Sequence, residues 1–420
     1  MTEGPNHNGA ETLDPTTPAQ SPVQPVAGST NRSRLPDIRD ETRESLQRQF
    51  TEWHQPAYRL DQVLDWLYTR RVDDWKGMTN LPVSLRTQLA SRWSLGSLEL
   101  VRKQGSQDST RKFLWRLTDG ALVESVLIPA NPALYGEAAD RHTLCVSTQV
   151  GCAYGCRFCA SGLEGWKRNL APWEIIGQIL GIERWHAHQE AEASGVAAPA
   201  RGQSTRVINN LVIMGMGEPL ANYDHLMKAL RTLNAPWGGG IGARKITIST
   251  SGLAPRIRQL AEEPEQFRLA ISLHGATDAV RSQIMPVNRK YPLSELTQAC
   301  GHYLEKKGKM ITLEYILIDG INDALDEVKP LAALARRLHA KVNLIPYNSV
   351  EGLPWKRPEE SRCQRFADAL SRSGVTCTLR LEKGHDIDAA CGQLRLRTER
   401  ESSARPTDPV SGIDPAGSEA

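Results

Sequence analysis

No stretch of this chain approaches the roughly 20 consecutive apolar residues that a membrane-spanning helix requires, so a soluble protein with no membrane partner is expected. The N-terminus lacks the apolar segment of a secretory leader, and cysteine is sparse, 8 in 420 residues. That combination argues against a disulfide-stapled secreted scaffold. It points to a reducing, cytoplasmic compartment, where cysteines bind metal or do chemistry. An excess of either charge is missing too: 51 Lys and Arg stand against 48 Asp and Glu, for a net +3. That balance neither demands nor excludes an RNA partner. The length exceeds that of a usual domain, so a barrel-sized core with appendages is expected.

The few cysteines are unevenly placed. Four of them, Cys145, Cys152, Cys156 and Cys159, fall within LCVSTQVGCAYGCRFCASG, from Leu144 to Gly162. The last three form C-x3-C-x2-C, a spacing that lets three thiolates converge on one small object within a single loop. A structural zinc site would supply a fourth Cys or His at ordinary spacing, and the next histidine, His186, lies well beyond the loop. An iron-sulfur cluster normally takes four thiolates, so three leave one iron open to bind something else. On spacing alone, cluster and zinc both stand.

Residues 1–36 are rich in Pro, Thr, Asn, Gln and Gly and are expected to form a disordered tail. From 37 to 98 the pattern is helical, with Leu60, Val63, Leu64 and Leu67 on one face and Leu81, Leu85 and Leu89 at i+4 steps. This is a small helical accessory domain. Its RRVDDWKGM and SRW pieces join Arg to Trp, either to touch RNA or as a charged face over core tryptophans. Residues 99–142 alternate in short runs broken at Asp119-Gly120, the sign of a β-hairpin linking the two larger parts. Glu124 lies in its second arm, where a lone Glu is ordinarily solvated and outward-facing.

From 143 to 396 strand, loop and helix alternate. Strands read at TLCVSTQV, NNLVIMG, KITISTS, RLAISLH, MITLEYIL and KVNLIPY, separated by amphipathic segments. Six such units predict an α/β fold with a parallel sheet, curved like part of a TIM barrel; full closure would take eight. A further helix, EESRCQRFADALSRSG, and strand, VTCTLRL, precede GHDIDAACGQL and Cys391. Cys300 and Cys363 are expected in helices and Cys377 in a strand, all as core. Residues 186–206, polar and rich in small side chains, read as an insertion at the face opposite the catalytic mouth, and 397–420 as a second disordered tail.

Functional residues of a parallel barrel gather where strands end. The strand ends here carry MGMGEPL (Met214 to Leu220), STSG (Ser249 to Gly252), SLHG (Ser272 to Gly275) and PYN (Pro346 to Asn348). Glycine allows close backbone approach, and Ser, His and Asn offer directional hydrogen bonds. Each is weak alone; a buried His at a strand end is more often a satisfied polar group.

Cys152, Cys156 and Cys159, with Phe158 directly before the last, resemble the cluster motif of radical S-adenosylmethionine (SAM) enzymes. The resemblance implies one 4Fe-4S cluster on these three thiolates, SAM chelated at the open iron, and reductive cleavage to a 5′-deoxyadenosyl radical. Over about Tyr58 to Leu396 it narrows. LCVSTQVGC with CRFC, VIMGMGEPL, STSG, AISLHG, PVNRKYPL, NLIPYN and DIDAACGQL together resemble the bacterial dual-specificity methyltransferases that act on adenine C2 in large-subunit rRNA and tRNA.

That family implies a radical SAM partial TIM-type (βα)6 barrel with a small helical N-terminal domain. It implies SAM contacts at Gly217 and Glu218 (to the amino group), Ser249, Ser272, Leu273, His274 and Asn348. It further implies Cys391 as methyl carrier, Cys145 as the thiol that resolves the adduct through a transient disulfide, and Glu124 as base. SAM serves as both methyl donor and radical source, and a flavodoxin- or ferredoxin-type protein as electron donor. Three rivals share features: an adenine-C8 methyltransferase conferring antibiotic resistance, a zinc-holding RNA-binding protein, and a glycyl-radical activating enzyme, which has no use for the Cys145/Cys391 pair.

Overall fold

The periodic leucines of the N-terminal part become helices Arg43–Glu52, Ala57–Leu64 and Val83–Arg92. Thr42 caps the first: its hydroxyl accepts from the Ser45 amide at 3.1 Å, satisfying one of the first-turn donors that a helix leaves unpaired. Leu60, Val63, Leu64, Leu67, Leu81, Leu85 and Leu89 are all buried. Trp93 is buried too, edge-on to Trp53 at 5.5 Å, and donates its indole hydrogen to Glu41. It is a core residue. Trp75 is half-buried against the same core.

The computed structural model describes residues 35–105, 110–129, 142–194, 206–308, 310–380 and 392–403. Its main sheet has ten strands, in the order β1-β2-β3-β4-β7-β8-β9-β10-β11-β12. These are β1 (Glu99–Gly105), β2 (Arg111–Arg116), β3 (Leu122–Ile128), β4 (His142–Cys145), β7 (Ile208–Ile213), β8 (Ile246–Thr250), β9 (Arg268–Ser272), β10 (Thr312–Leu317), β11 (Lys341–Pro346) and β12 (Cys377–Leu379). A separate two-stranded ribbon, β5 (Gln149–Gly151) with β6 (Trp166–Asn169), flanks the cysteine loop.

From β4 to β12 every neighbouring pair runs parallel, as expected when each strand is followed by a crossover helix. Apolar helix faces cover the outside: Tyr315 of β10 stacks on Phe366 of helix Glu360–Arg372 at 5.8 Å. Cys300 and Cys363 are buried in helices, and Cys377 is half-buried in β12.

Three features differ from the sequence reading. The segment 99–142 is more than a linking hairpin: β1, β2 and β3 are antiparallel and β3 pairs with β4, so they prolong the barrel sheet. The β2–β3 turn does fall at Asp119-Gly120, with Gly120 at φ +86°, a conformation that glycine adopts without strain. Helix Pro172–Ser194 takes in the start of the stretch 186–206 that reads as an insertion, because Ala, Gln and Glu favour helix. Residues 195–205 lie outside the described part. The tail expected from 397 begins inside helix Gln393–Ser403, whose Leu394 and Leu396 are buried. The 1–34 and 404–420 stretches also lie outside it.

A buried ion pair joins the helical domain to the barrel: Arg71 stands 3.3 Å from Glu183 of helix Pro172–Ser194. The Arg39 guanidinium, paired with Asp37 inside the helical domain, lies 5.5 Å over the Trp173 ring of the same barrel helix. The Asp40 carboxylate accepts from the Trp173 amide at the start of that helix, at 2.9 Å.

Candidate active site

The cysteine loop leaves β5 and returns through β6. The Cys152 amide donates to the Gly165 carbonyl, and the Cys159 amide to that of Cys156. All three cysteines are half-buried. Burial pushes the Cys152 thiol up to about 12 and the Cys156 thiol well above its ordinary value, the neighbouring thiols adding to both. Three such thiols cannot all ionise unless a cation neutralises them. Among the described residues no three His, Cys, Asp or Glu side chains close around a single-ion position. The three thiols act on one another's ionisation, and three cysteines at this spacing are the donor set that an iron-sulfur cluster with an open corner would take.

Phe158, inside the motif, packs edge-on to His274 at 4.8 Å. His274 sits just beyond β9 at φ +56°, and its Nδ1 accepts the Ile316 amide hydrogen at 3.0 Å. Burial, reinforced by the Arg281 charge, pushes its pKa down to about 3, so the ring is neutral with its hydrogen on Nε2. Arg281 is itself fully buried; it donates to the Leu273 and Ser251 carbonyls and to Asn288, tying the ends of β8 and β9 together.

Gly217 has φ +98°, and a Cβ there would lie 2.5 Å from the Cβ of Gln149. Only glycine fits. Gln149 also accepts from the Glu218 amide at 2.8 Å. The Glu218 carboxylate, 3% exposed, accepts from the Leu220 and Ser251 amides at 3.0 and 2.7 Å. It ties the β7 and β8 ends together, and burial pushes its pKa up. Ser249 and Ser272 face one another, hydroxyl to hydroxyl, at 3.4 Å. Asn348 is half-buried after β11, its side-chain oxygen accepting from Arg357 at 3.2 Å. Thr148 Oγ1, just beyond β4, is buried without a hydrogen-bond partner among the described residues. A glycine cradle, facing hydroxyls and an orphaned hydroxyl at one barrel mouth fit a small polar ligand such as SAM.

The remaining residues meet on β3. Glu124 is 3% exposed, not outward-facing. Its carboxylate accepts from the amides of Gly392 at 2.9 Å and Arg395 at 2.7 Å, in the first turn of helix Gln393–Ser403, and stands 3.0 Å from the Lys112 ammonium. Cys145 pairs with Val126, two residues along β3 from Glu124 and therefore on the same face. Cys391 lies outside the described residues; its neighbour Gly392 is bonded to Glu124. Lys112, Gln149 and Arg281 escape sequence reasoning because nothing local marks them. The alternation of RKFLW, with Phe113 edge-on to Trp185 and Trp115 stacked on Phe113, does place Lys112 on the opposite face with Glu124.

Residues 146–333 match the model of the radical SAM superfamily, and 36–95 that of the ribosomal RNA large subunit methyltransferase N-terminal domain. Fold, cysteine loop and match together define a radical SAM enzyme. Probable dual-specificity RNA methyltransferases are similar over nearly their whole length. RlmN 3 of Opitutus terrae is 54% identical over 87% of this chain and 96% of its own. RlmN of Akkermansia muciniphila is 52% identical over 88% and 98%. A radical SAM methyltransferase crystal structure from Sphaerobacter thermophilus superposes with a TM-score of 0.75, at 41% identity, over 85% of this chain and 98% of that one. The chain belongs to the RlmN family of dual-specificity radical SAM RNA methyltransferases.

Proposed function

We propose that the enzyme methylates C2 of an adenine in large-subunit rRNA and in tRNA, by way of a methyl carried on Cys391 and with two SAM consumed per turnover. The observation that supports this most is the convergence on β3, where Glu124, the Cys145 position and the residue after Cys391 share one face. A simple displacement at SAM would need neither a thiol pair nor a buried carboxylate.

Adenine C2 lies between two ring nitrogens and has no lone pair, so it cannot attack a methyl sulfonium as an amine does. A carbon radical adds to it instead. When bound on Cys152, Cys156 and Cys159, the cluster supplies the electron that opens SAM to a 5′-deoxyadenosyl radical; the donor to it is a flavodoxin- or ferredoxin-type protein. Cys391 takes a methyl from the other SAM by displacement. Hydrogen abstraction from that methyl yields a carbon radical that adds to C2 and joins enzyme to RNA. Glu124 accepts the C2 proton as the adduct gives up its unpaired electron to the oxidised cluster. The Cys145 thiol then attacks the Cys391 sulfur and breaks its bond to the methylene carbon, closing a disulfide by thiol exchange. That carbon keeps the electron pair and takes up the thiol's proton to become the methyl. Among the described residues three donors hold the carboxylate, Gly392 and Lys112 on Oε2 and Arg395 on Oε1, which leaves one lone-pair site on Oε1 to take the C2 proton.

SAM lies against Gly217, Glu218, Ser249, Ser272, Leu273, His274 and Asn348 in this reading. The test is anaerobic protein with reconstituted cluster, SAM, a reductant and unmodified rRNA or tRNA, followed by nucleoside mass spectrometry. A 2-methyladenosine product from both RNAs is expected. An 8-methyladenosine product overturns the C2 assignment, and SAM cleavage without a methylated base overturns the substrate.

A further inference from the structure

One carboxylate inside the barrel has no part in the chemistry above. Glu314 lies mid-way along β10, is 4% exposed, and stands in register with Ser272 on one neighbouring strand and Asn343 on the other. Tyr315, the next residue, stacks on the outer helix layer, so Glu314 faces the barrel interior. Its Oε1 accepts from the Asn343 side-chain amide at 3.0 Å. Its Oε2 is buried and has no hydrogen-bond partner among the described residues. A buried acceptor left in that state opposes folding, and a ligand that donates to it offsets the cost.

The ligand's chemistry can be narrowed. Burial raises the Glu314 pKa, while the Arg380 and Lys341 charges and the Asn343 bond lower it. Positive charge is already at hand, so a neutral donor suits the oxygen better than an ammonium. Ser272, beside it in register, approaches Ser249 hydroxyl to hydroxyl. Two hydroxyls, a carboxylate and an amide in one row suit a vicinal diol, and a carboxylate is a strong acceptor for a sugar hydroxyl, as in dinucleotide-binding folds.

We propose that Glu314 accepts a hydrogen bond from a ribose hydroxyl of bound SAM, which makes it a binding residue of the pocket that the strand-end motifs do not mark. The proposal rests on the placement of SAM against Ser249 and Ser272 given above.

The test is calorimetric titration of the anaerobic, cluster-loaded protein with S-adenosylhomocysteine and with its 2′-deoxy and 3′-deoxy forms. Glu314→Gln is expected to bind S-adenosylhomocysteine about tenfold or more weakly, the size of one hydrogen bond to a charged group, with its cluster spectrum and melting temperature retained. One deoxy form is expected to bind the unaltered protein about tenfold more weakly and to lose most of that penalty in the variant. Should Glu314→Gln fail to fold, Glu314→Asp draws the carboxylate back by one methylene and is expected to shrink the same penalty. Unchanged affinity in the variant, or an undiminished deoxy penalty, overturns the proposal and leaves Glu314 a structural member of the row or a partner of the adenine amine. Failure of the unaltered protein to bind S-adenosylhomocysteine at all overturns the placement of SAM as well.

Discussion

Lys112 Nζ stands 3.0 Å from Glu124 Oε2, with the two side chains 1% and 4% exposed. The pair is diagonal on one face of the β2–β3 ladder, where Lys112 lies opposite Val126 and Leu114 opposite Glu124. It is the sheet's own half of a junction whose other half is the helix start beyond Cys391. A buried carboxylate with a lysine and two amides around it is held in one place, as a base must be before its substrate arrives.

The first prediction follows from taking one charge of this pair away. Lys112→Met leaves Glu124 buried beside two amide donors alone and is expected to lower stability by about 3 kcal/mol or more. The double variant Lys112→Met, Glu124→Gln removes both charges and is expected to recover part of the loss. Denaturant unfolding of the four proteins gives the coupling; an additive result would mean that the ion pair contributes nothing of its own.

Gly217 gives the second. An alanine there meets Gln149 at 2.5 Å and must hold φ +98°. Left-handed strain and overpacking together cost about 2 kcal/mol or more, and the loop that presents Glu218 shifts with it. Gly217→Ala is expected to keep its iron and acid-labile sulfide yet bind SAM at least about tenfold more weakly. Normal SAM affinity in an equilibrium binding assay would show that the close approach of this loop is not needed.

How far the sequence carries depends on whether a feature is local. The six parallel strands and the cysteine loop rest on alternation and spacing within a few residues, and they stand in the structure where the pattern puts them, except that TLCVSTQV divides: β4 ends at Cys145, and Gln149–Gly151 joins the separate ribbon. Glu124 does not behave as a lone strand carboxylate, because its amide partners Gly392 and Arg395 are 268 and 271 positions away. No local pattern reports such a contact. The same holds for β3, whose pairing with β4 turns an apparent linker into barrel sheet, and for Arg281, which reads as an ordinary helix residue until its three acceptors are seen. Glu314 escapes for another reason: TLEYIL reads as a buried strand, and only the register shows that its one charge faces inward beside Ser272.

A third prediction concerns pH. His274 is buried and neutral, with a folded pKa of about 3 against 6.5 for an exposed ring. Between those values the unfolded chain binds a proton that the folded one does not. The His274 contribution is therefore fully present above pH 6.5 and is lost as pH falls toward 3, at up to about 1.4 kcal/mol per pH unit for one proton. Arg281 contributes to the depression, and Phe158 packs on the ring. Replacing the ring by a non-titrating side chain, His274→Asn, is expected to flatten stability against pH in that window by about one proton. An unchanged slope in denaturant midpoints measured at successive pH values would place the acid sensitivity elsewhere.

The last prediction separates the two thiols of the proposed chemistry. Cys391→Ala removes the proposed methyl carrier and leaves all three loop cysteines in the sequence, so iron and sulfide content is expected to match the unaltered protein while RNA methylation is abolished. Methylation at the ordinary rate would end the covalent mechanism. Cys145→Ala leaves the carrier in place and removes the thiol that frees it. Its expected signature is an enzyme still joined to RNA, seen as a band of reduced mobility on a denaturing gel. The band's growth should depend on Glu124 in the opposite sense to product formation, since the carboxylate acts after the carbon–carbon bond has formed. Glu124→Gln is therefore expected to accumulate the same band even with Cys145 present, whereas a Glu124 that only caps helix Gln393–Ser403 would lower adduct and product together.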